Sequence, residues 1–193
     1  MSTQVSGTQT FDKSKRAKIV FSDEAMQTVQ KIIKRYPEGK HKSALLPVLH
    51  IAQAEFGGWL SPETMDYVAS LLKIKPIEVF EVASFYSMYN LKPVGKCVLE
   101  VCRTSSCWSR GSEDIVQYLE KKLSIKVGET SKDGMFTIKT VECLGSCGGA
   151  PMLQCGASFH ENLTKEKVDN IVENYRVEGK RKSYTDLDYK NTL

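Results

Sequence analysis

Apolar residues first recur with a regular spacing at Ala25, Val29, Ile32, Ile33 and Tyr36, the 3.6-residue period of one helix face. Ser22 ahead of the acidic Asp23 and Glu24 supplies a start signal, and Pro37 a stop. A second helix is expected from Ser43, as its cap, toward Phe56. Pro47 falls early enough in it to be tolerated, and Gly57-Gly58 ends it. Ser61-Pro62-Glu63 combines a cap, a proline at the first helical position and an acid at the positive end of the helix dipole. That third helix reaches about Leu72, and Pro76 opens a fourth through IEVFEVASF. Short helices with brief connections predict a small four-helix bundle over residues 22–92, held by tertiary packing because such helices are marginal alone.

After the turn-rich residues 91–95 (LKPVG) the pattern changes. Residues 97–101 (CVLEV) read as a buried strand. Ser112 is expected to cap a helix running to about Leu123, with Ile115, Val116, Leu119 and Leu123 inward. Lys132-Asp133-Gly134 is a turn, and MFTIKTVE then alternates as a half-buried strand does. Residues 151–155 and 158–161 predict a third and a short fourth strand. Thr164 caps a last helix through about Tyr175, with Val168, Ile171 and Val172 inward. Strand, helix, strand, two hairpin strands, helix is an α/β domain of the thioredoxin kind over residues 93–175. Residues 1–21 read as a polar arm and residues 176–193 as an irregular tail.

Composition narrows the function classes. With 41% hydrophobic and 26% charged residues and a net charge of +4, the chain is an ordinary globular sequence. It has no concentrated basic face, so no nucleic-acid partner is expected. No run approaches the roughly 18 apolar residues of a membrane helix, so any membrane association is expected through partners, without direct insertion. The arm, rich in Ser, Thr, Lys and Arg with Asp12 its sole acid, reads as a solvated segment in preference to an organelle transit peptide. It lacks the apolar core of a secretory signal, so the six cysteines are expected as thiols or metal ligands. No Gly-x-Gly-x-x-Gly follows a strand and no Walker-type loop occurs, so NAD and ATP sites are not expected on this chain. His41, His50 and His160 are isolated and read as surface or satisfied structural residues.

The chemistry concentrates in four cysteines: Cys102 and Cys107 in VCRTSSCWSRG, Cys143 and Cys147 in VECLGSCGGAP. Each pair sits on one loop at a strand end, where α/β sheets place their sites. Thiolates without a nearby histidine suit iron–sulfur clusters or zinc. Cys-x4-Cys and Cys-x3-Cys are wider than the common zinc knuckle, which favours a [2Fe–2S] cluster over zinc, with redox or disulfide use behind both. Backbone N–H groups of residues 103–106 and 144–146, with the hydroxyls of Thr104, Ser105 and Ser106, are expected to donate to the sulfurs. Trp108 is expected to shield the site from water. Arg103 and Arg110 read equally as charges near the site or as solvated surface residues. Cys97 and Cys155, inside strands, read as buried small hydrophobes. Phe80, Phe85, Tyr86, Met88 and Tyr89 read as core, with a partner-facing patch as the second reading.

The segments ASFYSMYNLKPVGKCVLEVCRTSSCWSRG and ECLGSCGGAPMLQ carry a resemblance to a known family. They resemble the thioredoxin-like [2Fe–2S] subunits of respiratory complex I, the NuoE family in bacteria. Homologous subunits occur in NAD-linked and bifurcating hydrogenases and in NAD-dependent formate dehydrogenases. The likeness covers about residues 22–175. It rests on Cys-x4-Cys-Trp-x-Arg-Gly and Glu-Cys-Leu-Gly-x-Cys-x-x-Ala-Pro; Gly148-Gly149 is freer than in many relatives, and Cys97 and Cys155 are not required by the pattern. The resemblance implies one [2Fe–2S] cluster per chain on Cys102, Cys107, Cys143 and Cys147, and no catalytic residue here. FMN, NADH and a [4Fe–4S] cluster would belong to a partner, a flavin- and NADH-binding iron–sulfur subunit of the NuoF type, alongside further complex subunits. The chain would take single electrons from the reduced flavin within an NADH:quinone oxidoreductase. It would lie in the cytoplasm, peripheral to the inner membrane through the complex, with the mitochondrial matrix as the second reading. The alternatives are the equivalent hydrogenase or formate dehydrogenase subunit, a free-standing ferredoxin, and a zinc-stabilised interaction module.

Overall fold

Ser22 accepts a hydrogen bond from the backbone N–H of Ala25 at 3.3 Å and so begins α1 (Asp23–Ile33) in a computed structural model that describes residues 19–179. The remaining polar arm and most of the expected C-terminal tail lie outside the described residues. Phe21, counted with the arm by pattern, is buried: it stacks on Phe56 at 5.3 Å and tilts against Tyr67 at 5.4 Å.

Three more helices complete the N-terminal unit: α2 (Leu45–Glu55), α3 (Pro62–Leu72) and α4 (Pro76–Phe85). Ser61 caps α3 through the Thr64 N–H at 3.1 Å, with Pro62 at the first helical position. Pro76 opens α4, where the Glu78 carboxylate accepts the Lys75 N–H at 2.9 Å. Ser43 does not cap α2. A 3-10 turn (His41–Ala44) precedes that helix, whose cap position is Ala44 with no side-chain hydrogen bond. Winding the chain into the helix from a preceding turn makes a side-chain cap unnecessary. Val29, Leu45, Val48, Leu49, Leu60, Val68, Leu72 and Val79 fill the centre.

The C-terminal unit begins with β1 (Cys97–Cys102), followed by α5 (Ser105–Ser109), α6 (Ser112–Leu123) and β2 (Phe136–Val141). A hairpin, β3 (Leu153–Cys155) and β4 (Ser158–His160), leads to α7 (Lys165–Glu178). The sheet order is β2-β1-β3-β4, with β1 parallel to β2 and antiparallel to β3, and β3 antiparallel to β4. Side chains alternate along β1. Cys97, Leu99 and Val101 join Phe136, Ile138, Leu153, Leu119 and Val168 in the core beneath α6 and α7. Cys102 falls on the opposite face.

Two expectations are corrected here. Gly111, at φ +88°, holds the cap position of α6; Ser112 is its first helical residue, fully buried, with an unpartnered hydroxyl. Helix α7 continues to Glu178, beyond the expected stop at Tyr175, and ends on left-handed Gly179.

The units meet at a polar seam. Lys139 of β2 donates to the Ser87 carbonyl and to Asn90 Oδ1 at 3.1 Å. Asn90 in turn donates to Gln53 Oε1 at 2.7 Å and to the Gly58 carbonyl at 3.0 Å. Burial lowers the Lys139 pKa, opposed by Glu100, whose carboxylate is 3.9 Å from the ammonium. Past the seam, Gly95 runs so close to β2 that a Cβ there would sit 2.8 Å from the Met135 carbonyl oxygen.

Burial also holds the pKa of His50, which packs on the Tyr89 ring at 5.1 Å, and that of His160 below the ordinary imidazole value. The unfolded chain therefore binds more protons than the folded one as pH falls below about 6.5. Their contribution is present above that pH and is lost toward pH 5, ahead of carboxylate titration. Urea denaturation from pH 7 to pH 5 is expected to show declining stability, and His50→Phe to show a shallower decline.

Candidate metal centre

Parallel pairing of β1 with β2 sets Cys102 beside Val141, so the two cysteine loops leave the sheet side by side. On the first loop, Arg103 N–H bonds the Val141 carbonyl at 3.1 Å, and α5 then turns Cys107 back toward Cys102. Both thiols are buried, against Ala150 and Met152 with Leu144 partly covering them. On the second loop, Gly145 takes φ +80°, and a 3-10 turn (Cys147–Gly149) precedes the cis Ala150–Pro151 peptide. Cys143 and Cys147 are exposed.

Hydrogen bonds tie the loops together at sulfur. Burial works against the Cys102 thiolate. It is outweighed by the Thr104 hydroxyl at 3.3 Å, the Thr104 and Leu144 backbone and the Cys107 thiol, which leave its pKa below the ordinary value. Cys107 moves the other way: burial, its hydrogen bond to Cys102 and the charges of Cys102 and Cys147 push it up to about 11, although the Met152 backbone opposes the shift. The two sulfurs of the pair are thus shifted in opposite directions by the same contact. The Gly145 N–H points at Cys143 Sγ, 3.4 Å away.

The donor set is two pairs of soft thiols on adjoining loops, with N–H and hydroxyl donors aimed at sulfur and one pair on a dry floor. Among the described residues, no three His, Cys, Asp or Glu side chains gather as ligands of a single metal ion would. Four thiols on two adjoining loops are a donor set whose chemistry fits an iron–sulfur cluster. Every ligand must first lose its proton.

Several surroundings differ from expectation. Trp108 is 65% exposed and does not cover the site. Neighbouring residues of a helix point about 100° apart, so burying Cys107 turns Trp108 outward. Its expected role falls to Leu144, Ala150 and Met152, which carry no local signal for it. Arg103 forms a solvent-exposed ion pair with Glu113 at 2.8 Å, in a geometry short of a hydrogen bond. Cys97 and Cys155 are fully buried in the sheet core, as small hydrophobes are. His160 shares a hydrogen bond with the Tyr175 hydroxyl at 2.9 Å. Of the aromatic group, Tyr89 is core and Met88 packs against it, whereas Phe80, Phe85 and Tyr86 are exposed.

Residues 29–176 match the thioredoxin-like [2Fe–2S] ferredoxin family. A subunit of the NADH-quinone oxidoreductase of Rickettsia typhi is 44% identical over 155 residues, which is 80% of this chain and 91% of that protein. The mitochondrial NADH dehydrogenase (ubiquinone) flavoprotein 2 of Dictyostelium discoideum is 40% identical over 165 residues, 86% of this chain and 67% of that protein. A solved structure of an NAD+-reducing [NiFe]-hydrogenase in the H2-reduced state shares the fold, with a TM-score of 0.61 and 19% identity over 69% of this chain. This chain covers 22% of that hydrogenase chain's length.

The burial contrast has a direct readout. Iodoacetamide is expected to alkylate Cys143 and Cys147 of the metal-free chain at least about tenfold faster than Cys97 and Cys155, by peptide mass spectrometry. Equal rates at all six would contradict the described burial.

Proposed function

The chain belongs to the thioredoxin-like [2Fe–2S] ferredoxin family, and from that premise we propose a one-electron carrier subunit of an NADH–quinone oxidoreductase holding one [2Fe–2S] cluster on Cys102, Cys107, Cys143 and Cys147. The observation that carries the ligand assignment is the meeting of the loops: the Arg103 N–H bonds the Val141 carbonyl at 3.1 Å, and Cys102 and Cys107 pack with Leu144, Ala150 and Met152 of the second loop. Such a cluster, when bound, takes up and returns a single electron, which adds one negative charge to the site.

The chain's own groups answer the needs of that chemistry. Thr104, Leu144 and Gly145 direct O–H and N–H dipoles at sulfur, which offsets negative charge there and helps to set the potential. Ala150 and Met152 keep water from the Cys102–Cys107 side. Cys143 and Cys147 lie at the surface, which suits an electron donor docking from outside the chain.

The donor proposed is a reduced FMN on an NADH-binding subunit that also carries a [4Fe–4S] cluster, within a complex peripheral to the membrane. The relatives' names support membership of a multi-subunit oxidoreductase. Among the described residues, no helix is long and apolar enough to cross a membrane. The hydrogenase likeness is one of fold, so the host proposed is the quinone-linked complex, to which the 44% identity points.

Anaerobically purified protein is expected to contain iron and sulfide in equal amounts. It should be silent by electron paramagnetic resonance when oxidised and show one rhombic S = 1/2 signal after dithionite. Cys107→Ser is expected to lose that signal while leaving NADH-driven flavin reduction in the reconstituted module largely intact. Zinc without iron in the wild type would sink the electron-transfer reading.

A further inference from the structure

The exposed half of the site is held from outside its own loop. Ser146, immediately before Cys147, donates its hydroxyl to Glu161 Oε1. The same side chain lies flat on Gly149: a Cβ there would come within 2.5 Å of Glu161 Cδ and within 2.7 Å of its Cβ and Cγ. Only a glycine admits that approach.

The backbone continues the clamp. Asn162 N–H bonds the Gly149 carbonyl at 2.6 Å, and Leu163 N–H bonds the Pro151 carbonyl at 2.9 Å. Glu161 is an exposed residue that follows β4, and its backbone carbonyl accepts from Lys167 Nζ of α7 at 3.3 Å. The loop's internal bonds are short-range: Gly145 N–H to Cys143 Sγ, Gly149 N–H to the Ser146 carbonyl, and Ala150 N–H to the Cys147 carbonyl. The Glu161 carboxylate therefore ties a solvent-facing cysteine loop to the β4–α7 scaffold and stands beside the residue that precedes Cys147.

We infer that Glu161 is a positioning residue for the Cys143–Cys147 half of the centre and lowers its reduction potential; this rests on the cluster reading above. Two consequences separate along the chemistry of the side chain. As a hydrogen-bond acceptor it keeps the loop folded over its metal. As a negative charge it disfavours a reduction that adds another.

The test uses the full chain carrying its cluster. The readouts are a redox titration followed by electron paramagnetic resonance, timed iron release to a chelator, and thermal unfolding as a folding control. Glu161→Gln retains an acceptor oxygen and the shape but not the charge. It is expected to raise the potential, increasing the reduced-to-oxidised ratio at fixed ambient potential by about threefold, with iron release near wild type. Glu161→Ala and Ser146→Ala are each expected to speed iron release about threefold or more, the double variant no faster than either, and Ser146→Thr to restore the wild-type rate. A loaded protein in which Glu161→Gln leaves the potential unchanged and Glu161→Ala leaves iron release unchanged overturns the inference and spares the cluster. Wild-type protein that binds no iron and sulfide overturns both.

Discussion

The parallel pairing of β1 with β2 is the constraint on which the cysteine site depends. Parallel neighbours both run to the same sheet edge, so the loops that follow Cys102 and Val141 start side by side although the strands are far apart in sequence. The pairing needs a crossover, which α6 supplies, and α6 is kept on the sheet by Leu119 and its neighbours against Leu99, Phe136 and Ile138. A core remote from sulfur thus sets the distance between the two cysteine pairs. The alternation of β1 does the rest: the residue after Val101 points away from that core and enters a small apolar pocket of its own.

The two halves of the centre meet different environments. Cys102 and Cys107 sit on a floor of Ala150 and Met152, where every sulfur charge needs a compensating donor, and Thr104 and Leu144 provide them. Cys143 and Cys147 lie in water and draw their order from elsewhere, through Ser146, Gly149 and the segment that follows β4. Under the proposed reading this asymmetry divides the work. The buried pair controls solvation of the extra charge, and the exposed pair keeps one side of the centre accessible to a donor.

The helical unit is joined to the sheet through Lys139. Its ammonium is partly buried and held by the Ser87 carbonyl, Asn90 and, more distantly, Glu100, on the sheet face that also carries Cys102. A partly desolvated lysine is tolerable only while such acceptors remain in place, so the seam is specific in geometry. Phe80 and Phe85 of α4 and the following Tyr86 are exposed where the connection to β1 begins.

Elements whose signals are local were legible in the chain alone. Ser22, Ser61 and Thr164 cap their helices because a cap needs only a side chain and an N–H three residues on. The strands declare themselves through alternation, and the four cysteines through their spacing. Long-range packing assigned the other roles. Ser43 and Ser112 have the chemistry of caps, but a preceding turn and Gly111 occupy those roles. Trp108 beside Cys107 has the size to shield the site, yet a short helix can bury only one of two neighbours, and packing against Met152 and Ala150 selected the cysteine. Glu161 meets Ser146 only because the β3–β4 hairpin carries the chain back across the second loop. Local chemistry names what each residue can do; the long-range pairing of strands determines which partner it meets.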